Sequence, residues 1–216
     1  MADEKMIDFE EYLTRDYTQL FNQAKASDVD TIEQGVRMVL EGLGFGSLLR
    51  DGLSQTPIRV ANMLLGLTQP ERFTITTFAV DDDPEHGVKY DEMILVTKIQ
   101  FYSMCEHHML PFFGTVDVGY LPGKKVVGLS KIARAIDYFA QRLQMQERLT
   151  QQIAMWIMGT LNPEGVGVIV RARHLCMEMR GVQKPSNETV TSAMLGAFRE
   201  SQTVRQEFLS LVKRGE

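Results

Sequence analysis

Both cysteines and three of the four histidines of this 216-residue chain fall in two short stretches, Cys105-Glu106-His107-His108 and His174-Leu175-Cys176. Scattered core residues would not cluster in this way. A fold that joins the two stretches gathers five soft or borderline donor groups at one place, and the rest of the chain is best read by how it serves that meeting.

Thiolate and imidazole are ligands that suit zinc, and a catalytic zinc takes three protein ligands and leaves its fourth position to water. Five candidates therefore compete for three places. Cys105 and His108 have the C-x2-H separation that lets a tight turn chelate one ion, and His174 and Cys176, two apart in a strand-like run, point to the same face. With Cys105, His108 and Cys176 as ligands, His107 and His174 remain beside the metal as free imidazoles. Metal-activated water flanked by two proton-transfer groups is the equipment of a hydrolase. Ordinary buried cysteines and histidines are an even alternative for either stretch taken alone, since free cysteine is among the most buried residue types. Two such stretches that also exhaust the cysteines weigh against it. A closed structural zinc site is the weaker reading, because a chain of this length builds a sizeable core without a metal staple.

With 44% hydrophobic and 24% charged residues, the composition is that of a soluble globular chain of one or two domains. No apolar run approaches the ~18 residues of a membrane span. The opening Met1-Ala2-Asp3-Glu4-Lys5 resembles neither a secretory nor a transit peptide, and two cysteines with metal-like partners argue for reduced thiols, so a cytoplasmic protein is expected. The net charge of -5 conceals a split. Residues 1–100 hold 9 Lys+Arg against 18 Asp+Glu, and residues 101–216 hold 14 against 10. An acidic protein whose metal-bearing half is mildly basic points to a small anionic ligand more than to nucleic acid.

Along the chain, Leu13, Tyr17, Leu20, Phe21 and Ala24 mark an amphipathic helix within residues 7–25. A second helix begins after Asp30, with Ile32, Val36, Leu40 and Leu43 on one face, and ends at Gly44. Thr56-Pro57 reads as an N-cap followed by proline, starting a short helix through Leu65. The acidic loop Asp81 to Gly87 contains His86, a solvated residue on this reading. Strands follow from Met93 to Tyr102 and from Thr115 to Leu121. Ser130 caps a helix carrying Ile132, Ala133, Ile136, Phe139 and Ala140, and another helix runs from about Gln146 with Leu149, Ile153, Trp156 and Ile157 on one side. After the turn Asn162-Pro163-Glu164-Gly165 comes a long strand, Val166 to Arg180, whose alternation puts His174, Cys176, Glu178 and Arg180 on one side. A strand from Glu188 to Met194 and a helix with Val204, Phe208 and Leu211 close the chain. The expected fold is α+β, with an N-terminal helical region over residues 1–91 and a β-β-α-α-β-β domain over residues 92–216.

If Ser130 caps its helix, the free N–H groups of that turn offer an anion site, with Lys131 and Arg134 adding charge and Arg180 joining from the metal-bearing strand. A solvated face is the stronger reading of those cations on spacing alone. Nothing in spacing makes Glu147 a ligand-binding residue. The G-x-x-x-x-G-K-[ST] and G-x-G-x-x-G loops are absent, as are the zincin H-E-x-x-H and the pattern of zinc nucleobase deaminases.

The chain resembles the GTP cyclohydrolase I family. The matching stretches are Thr56-Pro57-x-Arg59, Ser103 to His108, Gly128-Leu129-Ser130-Lys131, Gln144 to Thr150, His174-Leu175-Cys176-Met177-x-Met179-Arg180-Gly181-Val182 and Thr191 to Gly196. The resemblance implies zinc at Cys105, His108 and Cys176, and hydrolysis of the imidazole ring of GTP at C8 with loss of formate and closure to 7,8-dihydroneopterin triphosphate. It implies that His174 protonates the purine nitrogen and that His107 helps to open the ribose. It places Glu147 against the guanine N1 and N2 edge with Gln146 beside it, Lys131, Arg134, Arg180 and Arg59 at the triphosphate, and Ser130 at the ribose-phosphate region. The implied architecture is the tunnelling fold, whose subunit sheets close a barrel, in a homodecamer of two pentameric rings with sites between subunits. Two other readings compete. A related enzyme acting on another pterin or purine would be favoured by loss of Glu147, and a nucleotide-binding regulator by loss of a ligand or free histidine; all of these residues are present.

Overall fold

The computed structural model describes residues 28–46, 51–80 and 90–214, and the chain divides into two compact units at the boundary between Gly66 and Leu67. The expected helix within residues 7–25 and the loop around His86 lie outside the described residues. No helix among the described residues is long and apolar enough to cross a membrane.

In the first unit, helix α1 runs Val29–Gly42. It starts earlier than the apolar pattern suggests because the Asp28 carboxylate caps it, accepting from the Asp30 and Thr31 amides at 3.0 and 3.2 Å. Ile32, Val36 and Leu40 share its half-buried side. Leu43, expected with them, is the C-cap residue and 65% exposed. A short helix α2, Asp51–Ser54, leads into α3, Thr56–Thr68. Thr56 is therefore not the cap of a fresh helix. Its hydroxyl donates back to the Gly52 carbonyl, and the Arg59 amide reaches Gln55, so the two helices are nearly continuous.

The second unit is built on a five-stranded sheet. Its strands are β2 (Ile94–Cys105), β3 (Pro111–Leu121), the short β5 (Leu143–Gln144), β6 (Gly165–His174) and β7 (Glu188–Gly196), in the order β5-β2-β3-β6-β7. A two-stranded ribbon, β1 (Thr77–Ala79) with β4 (Lys125–Val127), stands apart from it. Helices α4 (Leu129–Ala140) and α5 (Gln146–Leu161) connect β4 to β6. The α+β expectation and the succession of two long strands, two helices and two long strands are both observed.

Alternation explains how the layers pack. Val166, Val168, Val170 and Ala172 are buried on the side that meets α5, whose Leu149, Ile153 and Ile157 are fully enclosed. Each such aliphatic side chain contributes roughly 1.5–3 kcal/mol relative to exposure. The opposite side is covered at one end by the closing helices α7 (Ala197–Glu200) and α8 (Gln202–Arg214), with Met93, Ile169, Phe198, Phe208 and Val212 as its core. Gly119 and Gly167 face each other across β3 and β6, and a Cβ on Gly167 would lie 2.5 Å from Phe198. That glycine pair makes room for the two rings.

Two expected boundaries move, each because of a strand partner. Ser130 lies inside the first turn of α4, and Gly128 is the N-cap residue, with no side-chain cap. The Gly128 amide is bonded to the Thr76 carbonyl at 3.0 Å, so the ribbon delivers the chain to the helix two residues early. The long strand expected to reach Arg180 stops at His174, opposite Phe112. Its neighbour β3 begins at Pro111, so the ladder runs out there. Residues Leu175–Glu178 instead wind into a helical turn, α6, closed by the Met179 amide on the Leu175 carbonyl at 3.0 Å.

Candidate functional site

The 105–110 loop is a tight reversal between β2 and β3. The Cys105 amide donates to the Leu110 carbonyl at 2.9 Å and the Met109 amide to the Cys105 carbonyl at 2.8 Å, while Met109 takes a positive φ of 51°. The parallel strand β5 pins the loop from the other side, through the Glu106 amide on the Gln144 carbonyl at 3.1 Å. Within this turn the Cys105 Sγ lies 3.9 Å from His108 Nδ1 and 3.8 Å from His107 Nδ1.

Cys176 arrives from the other stretch, on the helical turn that replaces the end of the strand. The ligand atoms of Cys105, His108 and Cys176 all lie within 4.8 Å of one another. A tetrahedral zinc with ordinary Zn–S and Zn–N bonds would hold sulfur and nitrogen about 3.6 Å apart. The donor set fits such an ion chemically as well. Burial pushes the Cys176 thiol up from its ordinary range, and the neighbouring Cys105 pushes it further, with Arg180 pulling weakly the other way. Two thiols facing one point resist ionising together, and a bound dication removes that penalty. Both cysteines are free thiols.

His174 ends β6 just beside this group. Its Nε2 is 2.7 Å from Gln146 Oε1, and its ring stacks on Phe112 with centroids 4.7 Å apart and planes within 1°. Burial lowers its pKa, while the carboxylates of Glu147 and Glu178 act in the opposite direction. Glu147 is exposed in the first turn of α5, close enough for its charge to be felt at His174. Glu178 is tied to Arg173 by bonds of 2.8 and 2.6 Å. His107 is exposed, its ring 6.2 Å from that of His108.

The structure thus brings Cys105, His107, His108, His174, Cys176, Gln146, Glu147 and Arg180 to one region. Ser130 and Arg134 are exposed and Lys131 half-buried on a separate element, the start of α4. Arg59 belongs to the first compact unit. Gln146 is buried, with its side-chain amide directed entirely at groups of the protein. Three further residues escaped the sequence reading. Phe112 stacks on the His174 ring, and Glu106 and Arg148 form an ion pair beside the candidate metal ligands. Their partners are long-range in the chain, and no local pattern announces them.

A sequence model described as GTP cyclohydrolase I matches residues 32–213. GTP cyclohydrolase 1 of Aquifex aeolicus is 48% identical over 188 residues, covering 87% of this chain and 98% of its own length. The enzyme of that name from Gloeobacter violaceus is 48% identical over 189 residues, 88% of this chain and 87% of its own. The human GTP cyclohydrolase 1 is 51% identical over 164 residues, 76% of this chain and 65% of its own.

Proposed function

The chain belongs to the GTP cyclohydrolase I family, and from that premise we propose that it converts GTP and water into 7,8-dihydroneopterin triphosphate and formate. It is an enzyme, a hydrolase. The observation that carries the reading is the convergence of the Cys105, His108 and Cys176 ligand atoms beside two further histidines.

Cys105, His108 and Cys176 would hold zinc, which when bound makes water a nucleophile at neutral pH and polarises the group under attack. Around it the chain supplies proton transfer and binding. His174 gives a proton to the purine nitrogen as the C8–N bond opens, and His107 assists opening of the ribose. Glu147 offers two acceptor oxygens to the guanine N1–H and N2–H pair, a match that a carboxylate makes without distortion. Arg180, Lys131 and Arg134 meet the triphosphate together with Arg59, and Ser130 meets the ribose-phosphate region.

The family reading also implies a tunnelling-fold barrel closed by several subunits, with a homodecamer as the working form and sites between subunits. Strand β7, nine residues long, is an edge of the described sheet, and an open edge of that length calls for a partner. The thiol ligands require a reducing compartment, in keeping with the cytoplasm.

The test is to incubate zinc-replete protein with GTP and to assay formate together with the fluorescent pterin formed on oxidation. Equal amounts of both are expected. Formate without pterin would confine the activity to ring opening, and neither product from a protein that binds zinc and GTP would overturn the reading.

A further inference from the structure

Gln146 is 2% exposed, and a buried amide of this kind keeps its place only if its donors and acceptor are matched. Its Nε2 faces the Thr189 carbonyl at 2.9 Å, the Val170 carbonyl at 3.1 Å and the Thr191 hydroxyl oxygen at 3.1 Å. Backbone carbonyls only accept. The reversed amide would set its oxygen against two others, so the orientation is fixed by chemistry and does not depend on distinguishing nitrogen from oxygen.

The surrounding hydroxyls agree with that direction. Thr150 Oγ1 donates to the Gln146 backbone carbonyl at 2.7 Å and lies 2.7 Å from Thr191 Oγ1. Thr191 then donates to Thr150 and accepts from Gln146, which closes a ring of bonds all running one way. Gln146 Oε1 is left facing His174 Nε2 at 2.7 Å. An amide oxygen cannot donate, so Nε2 must carry the hydrogen. Phe112, stacked on the imidazole, holds the ring plane in which this bond is made.

We infer that Gln146 is a positioning residue that locks His174 as the Nε2–H tautomer, so that Nδ1 is the nitrogen left to take up a proton, released by the attacking water, and pass it to the substrate. The inference rests on the role proposed above for His174, but its core statement, the tautomer, is a property of the resting protein. It also assigns Gln146 a different task from Glu147 at the adjacent position. One side chain of the helix start faces inward to the histidine and the other outward to solvent.

The experiment uses zinc-loaded protein labelled with 15N-histidine and examined by solid-state NMR, with the His174 signals identified by their loss in His174→Ala. The expected spectrum has a protonated Nε2 and an unprotonated Nδ1. Gln146→Met keeps the volume and removes both the acceptor and the donors. In it the tautomer signature should become mixed or reversed, and kcat for GTP should fall by about 10²-fold, the scale of a misplaced acid–base group. KM should move by less than about threefold and zinc content should hold, which separates a lost proton-transfer geometry from lost binding. Should Gln146→Met fail to fold, Thr191→Val weakens the same amide from behind, with a smaller shift of tautomer and kcat that Thr191→Ser restores. An unprotonated Nε2 in the wild type, an unchanged tautomer in either variant, or a KM rise at constant kcat would overturn the inference. A wild type that shows the tautomer but never consumes GTP would instead remove the proposed reaction and leave the positioning role standing.

Discussion

Arg148, in the first turn of α5, closes a two-point ion pair on Glu106, with Nη1 to Oε2 at 2.7 Å and Nη2 to Oε1 at 3.1 Å. Glu106 lies between Cys105 and His107, so the pair ties the start of a helix to the centre of the candidate metal loop. The Arg148 hydrogen bond holds the Glu106 carboxyl below the usual carboxylate range. Both side chains are partly exposed, at 44% and 28%, and a pair so placed adds only about 0.2–1 kcal/mol to stability. Its consequence should appear in the geometry of the loop more than in the melting temperature.

Arg148→Met should therefore leave the fold intact and weaken zinc binding by about 10- to 100-fold, the usual cost of losing a partner that orients the ligands. Competition with a chromogenic chelator measures it. Wild-type zinc affinity in this variant would mean that the loop holds its shape through the backbone bonds to Gln144 and Leu110 alone.

The ligand assignment separates the five donor residues into two groups by outcome. Cys105→Ala and Cys176→Ala should lose both metal and turnover. His107→Ala and His174→Ala should retain zinc while kcat falls by about 10²- to 10⁴-fold, the range typical of acid–base groups. Metal analysis of the purified variants decides it, and a histidine variant as empty of zinc as the cysteine variants would redraw the division.

How far the site was legible depended on how local its determinants are. That Val166, Val168, Val170, Ala172 and His174 share one side of β6 follows from the two-residue repeat of a strand and is written into neighbouring residues. The route to Cys176 is not local. Same-face alternation would have needed β6 to continue, but its length is limited by where β3 begins at Pro111, and a helical turn brings the thiol to the same place by another path. The Ser130 cap failed for a related reason, since pairing of β1 with β4 decides where α4 starts. Gln146, Glu147 and Arg148 are adjacent in sequence, yet the helix fans them about 100° apart, so one reaches His174, one faces solvent and one grips Glu106.

Tyr120 gives a pH-dependent prediction away from the site. Its ring is 1% exposed, its hydroxyl accepts from the Val127 amide at 3.4 Å, and burial raises its pKa above the ordinary value of 10.0. The folded chain then keeps a proton that the unfolded chain releases near pH 10. Stability from this group is complete below that pH and is lost as pH rises toward the folded value. Tyr120→Phe should cost about 0.5–1.5 kcal/mol at pH 8 through the lost hydrogen bond. By pH 11 the gap to wild type should narrow. Denaturant melts at the two pH values test this, and a constant gap would sink it.

Glu147 supplies the sharpest test of substrate recognition. It is exposed at the helix start, yet its charge is felt at His174, so a base held by its carboxylate would lie beside that histidine. Two charge-assisted hydrogen bonds to the guanine edge, each worth about 1.5–3 kcal/mol, imply a loss of at least about 10²-fold in GTP affinity for Glu147→Ala. Measuring binding in the His174→Ala background prevents turnover from confusing the titration. Glu147→Gln should be nearly as poor, because its amide turns one of the two acceptors into a donor facing an N–H. ITP, which lacks the 2-amino group, adds a second axis. The His174→Ala protein should bind GTP more tightly than ITP, whereas the double variant with Glu147→Ala should bind the two alike. A preference for GTP that survives removal of Glu147 would mean that the guanine edge is read by some other group.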